Sequence, residues 1–178
     1  RVNTARYHSK AYHDLEVERL WCKVWQMACP GEDIPQVGDY IIYTIVNRSY
    51  LIVRTAENEI KAHVNACMHR GRSLRECNGR AVDFRCPYHG WRWGIDGSLK
   101  DIPSEWDFPG VREDAQQLGG AKVGTWGGFV FINPDPDAAP LLAGLRTTGL
   151  RILVVSNFDA RVRGVLDALG LAALIDQV

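Results

Sequence analysis

The sequence lacks the features that mark several common functional classes. It has no apolar run that reaches the length of about eighteen residues needed to cross a membrane. It also has no excess of charge of either sign, because 21 Lys and Arg residues balance 21 Asp and Glu residues. No strong positive field is therefore available to hold nucleic acid or an anionic membrane surface. We expect a soluble protein whose partners are small molecules or other proteins.

Cysteine is scarce, and its number does not suit a disulfide framework. The chain has five cysteines, and the two motifs described below use two of them. Cys22, Cys29 and Cys77 remain, an odd number that indicates a reducing compartment, and we expect a cytoplasmic protein. The length of 178 residues allows one ordinary domain with a small appendage. The first residue is not methionine, so we expect a fragment of a longer product.

Two short motifs carry the chemistry of this sequence. The first contains Cys67 and His69, the second contains Cys86 and His89, and each ends in a glycine. Sixteen residues separate His69 from Cys86. Two loops brought together would offer two thiolates to one iron and two imidazoles to another, which is the ligand set of a Rieske-type [2Fe-2S] cluster.

A structural zinc site is the main alternative, because two cysteines and two histidines can also bind one Zn²⁺. Zinc motifs usually pair Cys with Cys and His with His along the chain, as in C-x2-4-C followed by H-x3-5-H. Here each motif mixes one cysteine with one histidine. This spacing favours the iron–sulfur cluster, and a zinc-stabilised binding module is the least favoured interpretation.

The remaining pattern predicts a mainly β fold, an antiparallel sandwich or barrel, with an N-terminal amphipathic helix and a short C-terminal β-α tail. Apolar residues at helical spacing predict a helix over residues 14–28 that packs its tryptophans onto the domain. Short β-rich runs separated by turn residues predict an antiparallel sheet. The predicted strands are Tyr40–Val46, Tyr50–Arg54, Ile60–Val64, Ala81–Arg85 and Gly128–Asn133.

These patterns divide the chain into four segments. We expect an N-terminal helical segment over 1–38, the cluster-binding domain over 39–133 and a proline-rich linker over 134–149. The segment 150–178 has the apolar run and capped helix of a β-α unit, whose character is foreign to the preceding β domain.

Residues from about 7 to 145 resemble the N-terminal part of the large (alpha) subunit of Rieske non-haem iron oxygenases, the ring-hydroxylating type of oxidoreductase that includes dioxygenases. The resemblance covers about four-fifths of the chain, and the paired cluster motifs are its most specific part. The segments that carry it are Leu20–Trp25, Val37–Tyr40, Asn65–Gly71, Arg85–Trp91 and Trp126–Asn133.

This resemblance implies a Rieske-type antiparallel β-sandwich. It also implies that Cys67 and Cys86 bind the inner iron and that His69 and His89 bind the outer iron. It places Trp91 and, more speculatively, Arg70 and Tyr88 around the cluster, where packing and hydrogen bonds to sulfur tune it. The same is expected of Trp93, for which core packing is an equal alternative. The respiratory type of Rieske protein carries an extra cysteine in each loop, and this chain has none there. We therefore expect the lower-potential oxygenase class.

The resemblance also implies partners. In the family the cluster accepts electrons from a ferredoxin or a flavin/iron–sulfur reductase and passes them to a mononuclear iron in the catalytic domain of a neighbouring subunit. That iron needs two histidines and a carboxylate, but the five histidines here, at 8, 13, 63, 69 and 89, all precede residue 90. We expect no catalytic residues in this chain and an iron site that lies in a missing C-terminal domain. A free-standing Rieske ferredoxin is the alternative.

The C-terminal tail carries a different resemblance. Residues 150–171 are similar to the middle of a haloacid-dehalogenase-like hydrolase, in which Ser156 would contact a phosphoryl group near a helix N-terminus. The nearest candidates for that family's nucleophile, Asp135 and Asp137, lie in the proline-broken linker. We expect no hydrolase activity from the tail.

Overall fold

The computed structural model describes residues 4–112 and 116–141. The chain divides into two compact units, 1–136 and 137–178, and every element named below belongs to the first unit. The predicted β-α tail, with Ser156, lies outside the described residues, as does the second half of the predicted linker, residues 142–149. No helix among the described residues has the length and apolar character needed to span a membrane.

The described residues form an antiparallel, mainly β fold, which confirms the predicted fold class. Seven strands make one sheet in the order β1-β10-β9-β4-β3-β2-β5, and three make a second sheet in the order β6-β7-β8. The strands are β1 (Gln26–Pro30), β2 (Asp39–Ile45), β3 (Arg48–Ala56), β4 (Glu59–Val64), β5 (Gly79–Arg80), β6 (Asp83–Arg85), β7 (Arg92–Gly94), β8 (Leu99–Asp101), β9 (Gly120–Trp126) and β10 (Phe129–Asn133).

Strand β3 separates two hydrophobic cores. Its four central side chains are almost completely buried, as expected for an apolar run in the middle of a sheet. Because successive side chains point to opposite faces, Leu51 and Val53 join one core and Tyr50 and Ile52 join the other. Each buried aliphatic side chain stabilises the fold by about 1.5–3 kcal/mol. The core on the Leu51 side contains the two motif cysteines.

The two motif loops are attached to different sheets. The loop with Cys67 follows β4 of the large sheet, and the loop with Cys86 connects β6 to β7 of the small sheet. The shared core packs the small sheet against the large one, because Phe84 and Trp93 of the small sheet are fully buried beside Leu51 and Val53. This packing fixes the tip of one loop relative to the other.

The N-terminal helix differs from its prediction. The α-helix α1 is Lys10–Glu16, and Val17–Trp21 continues it as a π-helical turn. The helix begins at residue 10 because the Ser9 hydroxyl accepts a hydrogen bond from the Tyr12 N–H at 3.2 Å. It cannot extend to residue 28, because the chain from Gln26 onwards pairs with β10.

The expected packing of the helix was also wrong in part. Neither α1 nor the π-helical turn contains a buried residue, and Leu20 and Trp21 are 42% and 38% exposed. The predicted apolar stripe joined residues that belong to a helical turn with residues that lead into a strand. A single 3.6-residue period therefore did not apply across the whole segment.

Candidate metal centre

The two motif loops have the same backbone hydrogen bonds. The Cys67 N–H donates to the Arg72 carbonyl at 2.9 Å, and the Gly71 N–H donates to the Cys67 carbonyl at 2.8 Å. In the second loop the Cys86 N–H donates to the Trp91 carbonyl at 2.8 Å, and the Gly90 N–H donates to the Cys86 carbonyl at 3.1 Å. Each loop is therefore one turn closed on its own cysteine.

The glycine that ends each turn has a left-handed backbone, with φ of 73° at Gly71 and 79° at Gly90. L-residues with a side chain rarely adopt this conformation, whereas glycine does so readily. The glycines found in the sequence motifs thus have a direct structural reason. They turn the chain back so that the cysteine and histidine of each loop lie at its tip.

The structure brings the predicted ligands together in two pairs. The thiols of Cys67 and Cys86 are both buried and lie close enough for Cys86 to raise the pKa of Cys67. The rings of His69 and His89 lie with their centroids 4.6 Å apart at an interplanar angle of 65°. No three ligating side chains within residues 4–112 and 116–141 converge to hold a single metal ion. Sulfur is paired with sulfur and imidazole with imidazole, which suits a binuclear centre whose two irons have different ligands.

The surroundings of Cys67 affect its acidity in opposite directions. Burial is the main cause that raises the pKa of the Cys67 thiol, and the neighbouring Cys86 thiol raises it further. The backbone N–H of His69 and the indole of Trp93 lower the pKa, because they stabilise a thiolate. In the absence of metal the thiol form is favoured, and metal binding must release its proton.

The pKa of His69 is lowered, chiefly by desolvation and further by the charges that His89 and Arg70 carry when protonated. The neutral imidazole that results is the form that binds metals. Arg70 is exposed, and its role beside a cluster stays a prediction.

Two buried polar atoms near the paired ligands have no partner, and they test whether the residues fit a cluster. His69 Nδ1 and Trp93 Nε1 are the buried side-chain nitrogen or oxygen atoms in the described part of the chain that lack a hydrogen bond. The Trp93 indole lies close enough to Cys67 to lower its pKa, but the geometry falls short of a full hydrogen bond. An unpartnered buried imidazole nitrogen and an indole N–H beside the thiols both fit an iron–sulfur cluster bound between the loops.

Aromatic rings surround the imidazole pair. Trp91, which is 5% exposed, stacks on His69 with centroids 4.8 Å apart and an interplanar angle of 3°. Tyr88, which is 60% exposed, stacks on His89 at 3.6 Å. Trp93 is fully buried in the core, 6.2 Å from Trp91. These rings lie around the two motif histidines, and their effect on a cluster stays a prediction.

Sequence analysis missed several residues that shape the site. Phe108 packs edge-on against both His69 and Trp91, yet it lies nineteen residues beyond His89 in an irregular segment, where no motif points to it. Pro103 lines a surface depression of about 490 Å³ together with Tyr88, His89 and four other residues of the second loop region. Asn65 was noticed only as part of the resemblance, although its amide organises the first loop.

Comparison with known proteins agrees with this geometry. Residues 24–112 match the Rieske [2Fe-2S] domain family. The alpha subunit of biphenyl 2,3-dioxygenase from Rhodococcus jostii (strain RHA1) is 34% identical over 143 residues, which are 79% of this chain and 31% of that protein. The carnitine monooxygenase oxygenase subunit of Escherichia coli (strain K12) is 30% identical over 148 residues, which are 83% of this chain and 40% of that protein.

Solved structures of Rieske oxygenases also match this chain. The apo form of the quaternary ammonium Rieske monooxygenase CntA matches with a TM-score of 0.76 and 28% identity over 83% of this chain and 43% of that chain. Naphthalene 1,2-dioxygenase from Rhodococcus sp. matches with a TM-score of 0.73 and 33% identity over 82% of this chain and 34% of that chain. The matched part of this chain thus spans 31% and 40% of the length of the two relatives named above. It belongs to the Rieske [2Fe-2S] domain family, and its homologues are oxygenase alpha subunits.

Proposed function

We propose that this chain is the electron-transfer domain of a Rieske oxygenase, with Cys67 and Cys86 bound to one iron and His69 and His89 to the other. When bound, the cluster accepts and releases one electron at a time. The observation that carries the assignment is the pairing of thiol with thiol and imidazole with imidazole at the tips of two matching loops.

The electron would come from a ferredoxin or a reductase and pass to a mononuclear iron in a catalytic domain. The family resemblance implies that this iron lies in a domain outside the matched stretch, which covers 31% of the biphenyl 2,3-dioxygenase alpha subunit. The role of this chain's residues is to hold the cluster, to keep two thiolates and two neutral imidazoles in place and to exclude competing ligands. Hydroxylation would then need the catalytic domain. In the 178-residue chain alone the cluster would be reduced and reoxidised, but no substrate would be oxidised.

Metal and sulfide analysis of the reconstituted chain tests the ligand assignment. We expect iron with acid-labile sulfide and a visible spectrum, and we expect Cys67→Ser, Cys86→Ser, His69→Ala and His89→Ala each to lose them. Cys77→Ser is the matched control, because Cys77 is exposed and lies between the two motifs. A colourless protein that binds one zinc ion would refute the proposal in favour of the zinc-stabilised module.

The reduction potential tests which side chains contact iron. His69→Cys or His89→Cys would replace a neutral ligand by a thiolate and add negative charge, so the variant that still binds a cluster should have a lower potential than the wild-type chain. Protein-film voltammetry measures this shift. An unchanged potential in both variants would contradict imidazole ligation.

A further inference from the structure

Phe108 contacts both members of the stacked pair formed by His69 and Trp91. Its ring centroid lies 5.4 Å from that of His69 at 85° and 5.4 Å from that of Trp91 at 87°. The two stacked rings are nearly parallel, with an interplanar angle of 3°. Phe108 therefore stands perpendicular to both, in the edge-to-face arrangement that aromatic rings prefer.

The His69 ring is held by these ring contacts and not by hydrogen bonds. A metal-bound imidazole is usually oriented by a hydrogen bond from its second nitrogen to a carboxylate or carbonyl. No hydrogen bond to the His69 ring is found within residues 4–112 and 116–141, and its buried Nδ1 has no partner. Rotation of the ring about its Cβ–Cγ bond would break the stacking on Trp91 and bring the ring against Phe108.

The segment that carries Phe108 is folded back onto the site by its own contacts. Ser104 has a left-handed backbone with φ of 57°, which a residue other than glycine rarely adopts and which turns the chain after Pro103. The Phe108 N–H donates to the Glu105 carbonyl at 2.9 Å. Arg112 then binds the Glu105 carboxylate, with Nη2 at 2.9 Å from Oε2.

We propose that Phe108 is a positioning residue for the cluster, which fixes the plane of the His69 ring so that Nδ1 faces the interior. The segment Pro103–Arg112 supplies this residue from outside both motif loops. The inference rests on the proposed ligand role of His69. It adds a residue that neither the motifs nor their spacing identifies.

Cluster retention in the 178-residue chain tests this role. Loss of a neighbouring group that orients a metal ligand typically weakens metal binding about 10-fold to 100-fold. We expect Phe108→Ala to lose its visible absorption in the presence of a chelator at a rate about 10-fold or more above wild type. Phe108→Tyr, which keeps the ring, should retain the wild-type rate, and Phe108→Leu should resemble Phe108→Ala.

A spectroscopic measurement separates positioning from simple packing. Pulsed EPR of the reduced cluster reports the hyperfine couplings of the two imidazole nitrogens. We expect Phe108→Ala to change the coupling of one nitrogen and to leave the other unchanged, because Phe108 contacts His69. Trp106→Ala is the control, since Trp106 lies in the same segment but is 81% exposed.

The outcomes distinguish this inference from the proposed function. If the wild-type chain takes up no iron and sulfide, both fail. If wild type binds the cluster while Phe108→Ala and Phe108→Leu keep the wild-type decay rate and both nitrogen couplings, the positioning role is refuted and the electron-transfer assignment stands.

A second variant keeps the test open if Phe108→Ala fails to fold. Glu105→Gln removes an exposed ion pair without touching the core, so we expect it to accelerate cluster loss less than Phe108→Ala would. A wild-type rate in Glu105→Gln would then count against the role of the segment.

Discussion

Gly71 and Gly90 have equivalent places in the two loops but different surroundings. An added Cβ at Gly71 would meet nothing within 4 Å, whereas one at Gly90 would lie 3.1 Å from Pro103 Cγ. Both substitutions force a side chain into a left-handed backbone, at a cost of about 1–2 kcal/mol. We expect Gly71→Ala to lose this amount of unfolding free energy and Gly90→Ala to lose more, as measured by urea denaturation. Equal losses would show that Pro103 moves away without resistance.

At the level of single residues, the sequence predicted the two cysteine–histidine motifs that the structure brings together. The four predicted ligands lie in motifs whose spacing follows from the loop itself. Tyr88 directly precedes His89, and Trp91 follows His89 by two residues. Phe108 and Pro103 could not be predicted in this way, because they reach the site through the fold of β8 and the segment after it. Contacts of this kind depend on tertiary packing and produce no periodic pattern in the neighbouring sequence.

At the level of elements, Asn65 ties the end of β4 to the chain that follows the first loop. Its Oδ1 accepts hydrogen bonds from the N–H groups of Leu74 and Arg75, both at 3.0 Å, and its Nδ2 donates to the Arg75 carbonyl at 2.8 Å. Asn65 is 5% exposed, so water cannot easily replace these bonds.

We expect Asn65→Ala to lower the unfolding free energy by about 2–4 kcal/mol, because buried backbone donors would lose their acceptor. The control is Asn78→Ala, in which an exposed amide oxygen that accepts from the Ile42 N–H is removed and water can take its place. Thermal unfolding of both variants measures the difference. A similar small loss in the two variants would contradict the organising role of Asn65.

His63 connects the two sheets. It lies in β4, is 4% exposed, and its Nε2 donates a hydrogen bond to the Ile95 carbonyl at 2.9 Å when the ring is neutral with the proton on Nε2. Desolvation is the main cause that lowers the pKa of His63, and the Lys61 charge adds to it, while the hydrogen bond to Ile95 and the Asp96 charge act in the opposite direction.

The lowered pKa of His63 predicts acid sensitivity. Below the unfolded value of about 6.5 the unfolded chain binds a proton that the folded chain does not, so stability falls as pH decreases from there to the folded pKa. We expect a smaller decrease in His63→Gln, which keeps an N–H donor but does not titrate. Urea denaturation of the metal-free chain between pH 8 and pH 5 measures both slopes. Identical slopes would exclude His63 as the source, since the pKa of His69 is also lowered.

All five predicted strands were confirmed within about two residues, as β2, β3, β4, β6 and β10. In β2, β3 and β4 the side chains alternate around two cores, which gives these strands a pattern of their own. The first three residues of β1 were included in the predicted helix, since the pairing of β1 with β10 is a long-range contact. The short strands β5, β7 and β8 contain only two or three residues each, too few to show a period.

At the level of the whole molecule, both cores and all the site residues lie in the first compact unit, residues 1–136. We expect a chain that ends at Pro136 to bind the cluster and to unfold cooperatively, as judged by iron content and circular dichroism. A chain that ends at Gly128 lacks β10, which pairs with both β1 and β9, and should not fold. Loss of the cluster in the chain that ends at Pro136 would show that the site depends on residues of the second unit.

The matched hydrogen bonds of the two loops have a consequence for how ligands are placed. When the loops are aligned on their cysteines, His69 corresponds to Tyr88 and Arg70 corresponds to His89. The two histidines therefore occupy positions one residue apart in turns with the same hydrogen bonds. Replacing the first loop by the sequence of the second would preserve the turn but move its histidine from position 69 to position 70, a shift of one Cα step or about 3.8 Å. The position of the histidine along a shared backbone scaffold, and not the shape of the scaffold, distinguishes the two loops.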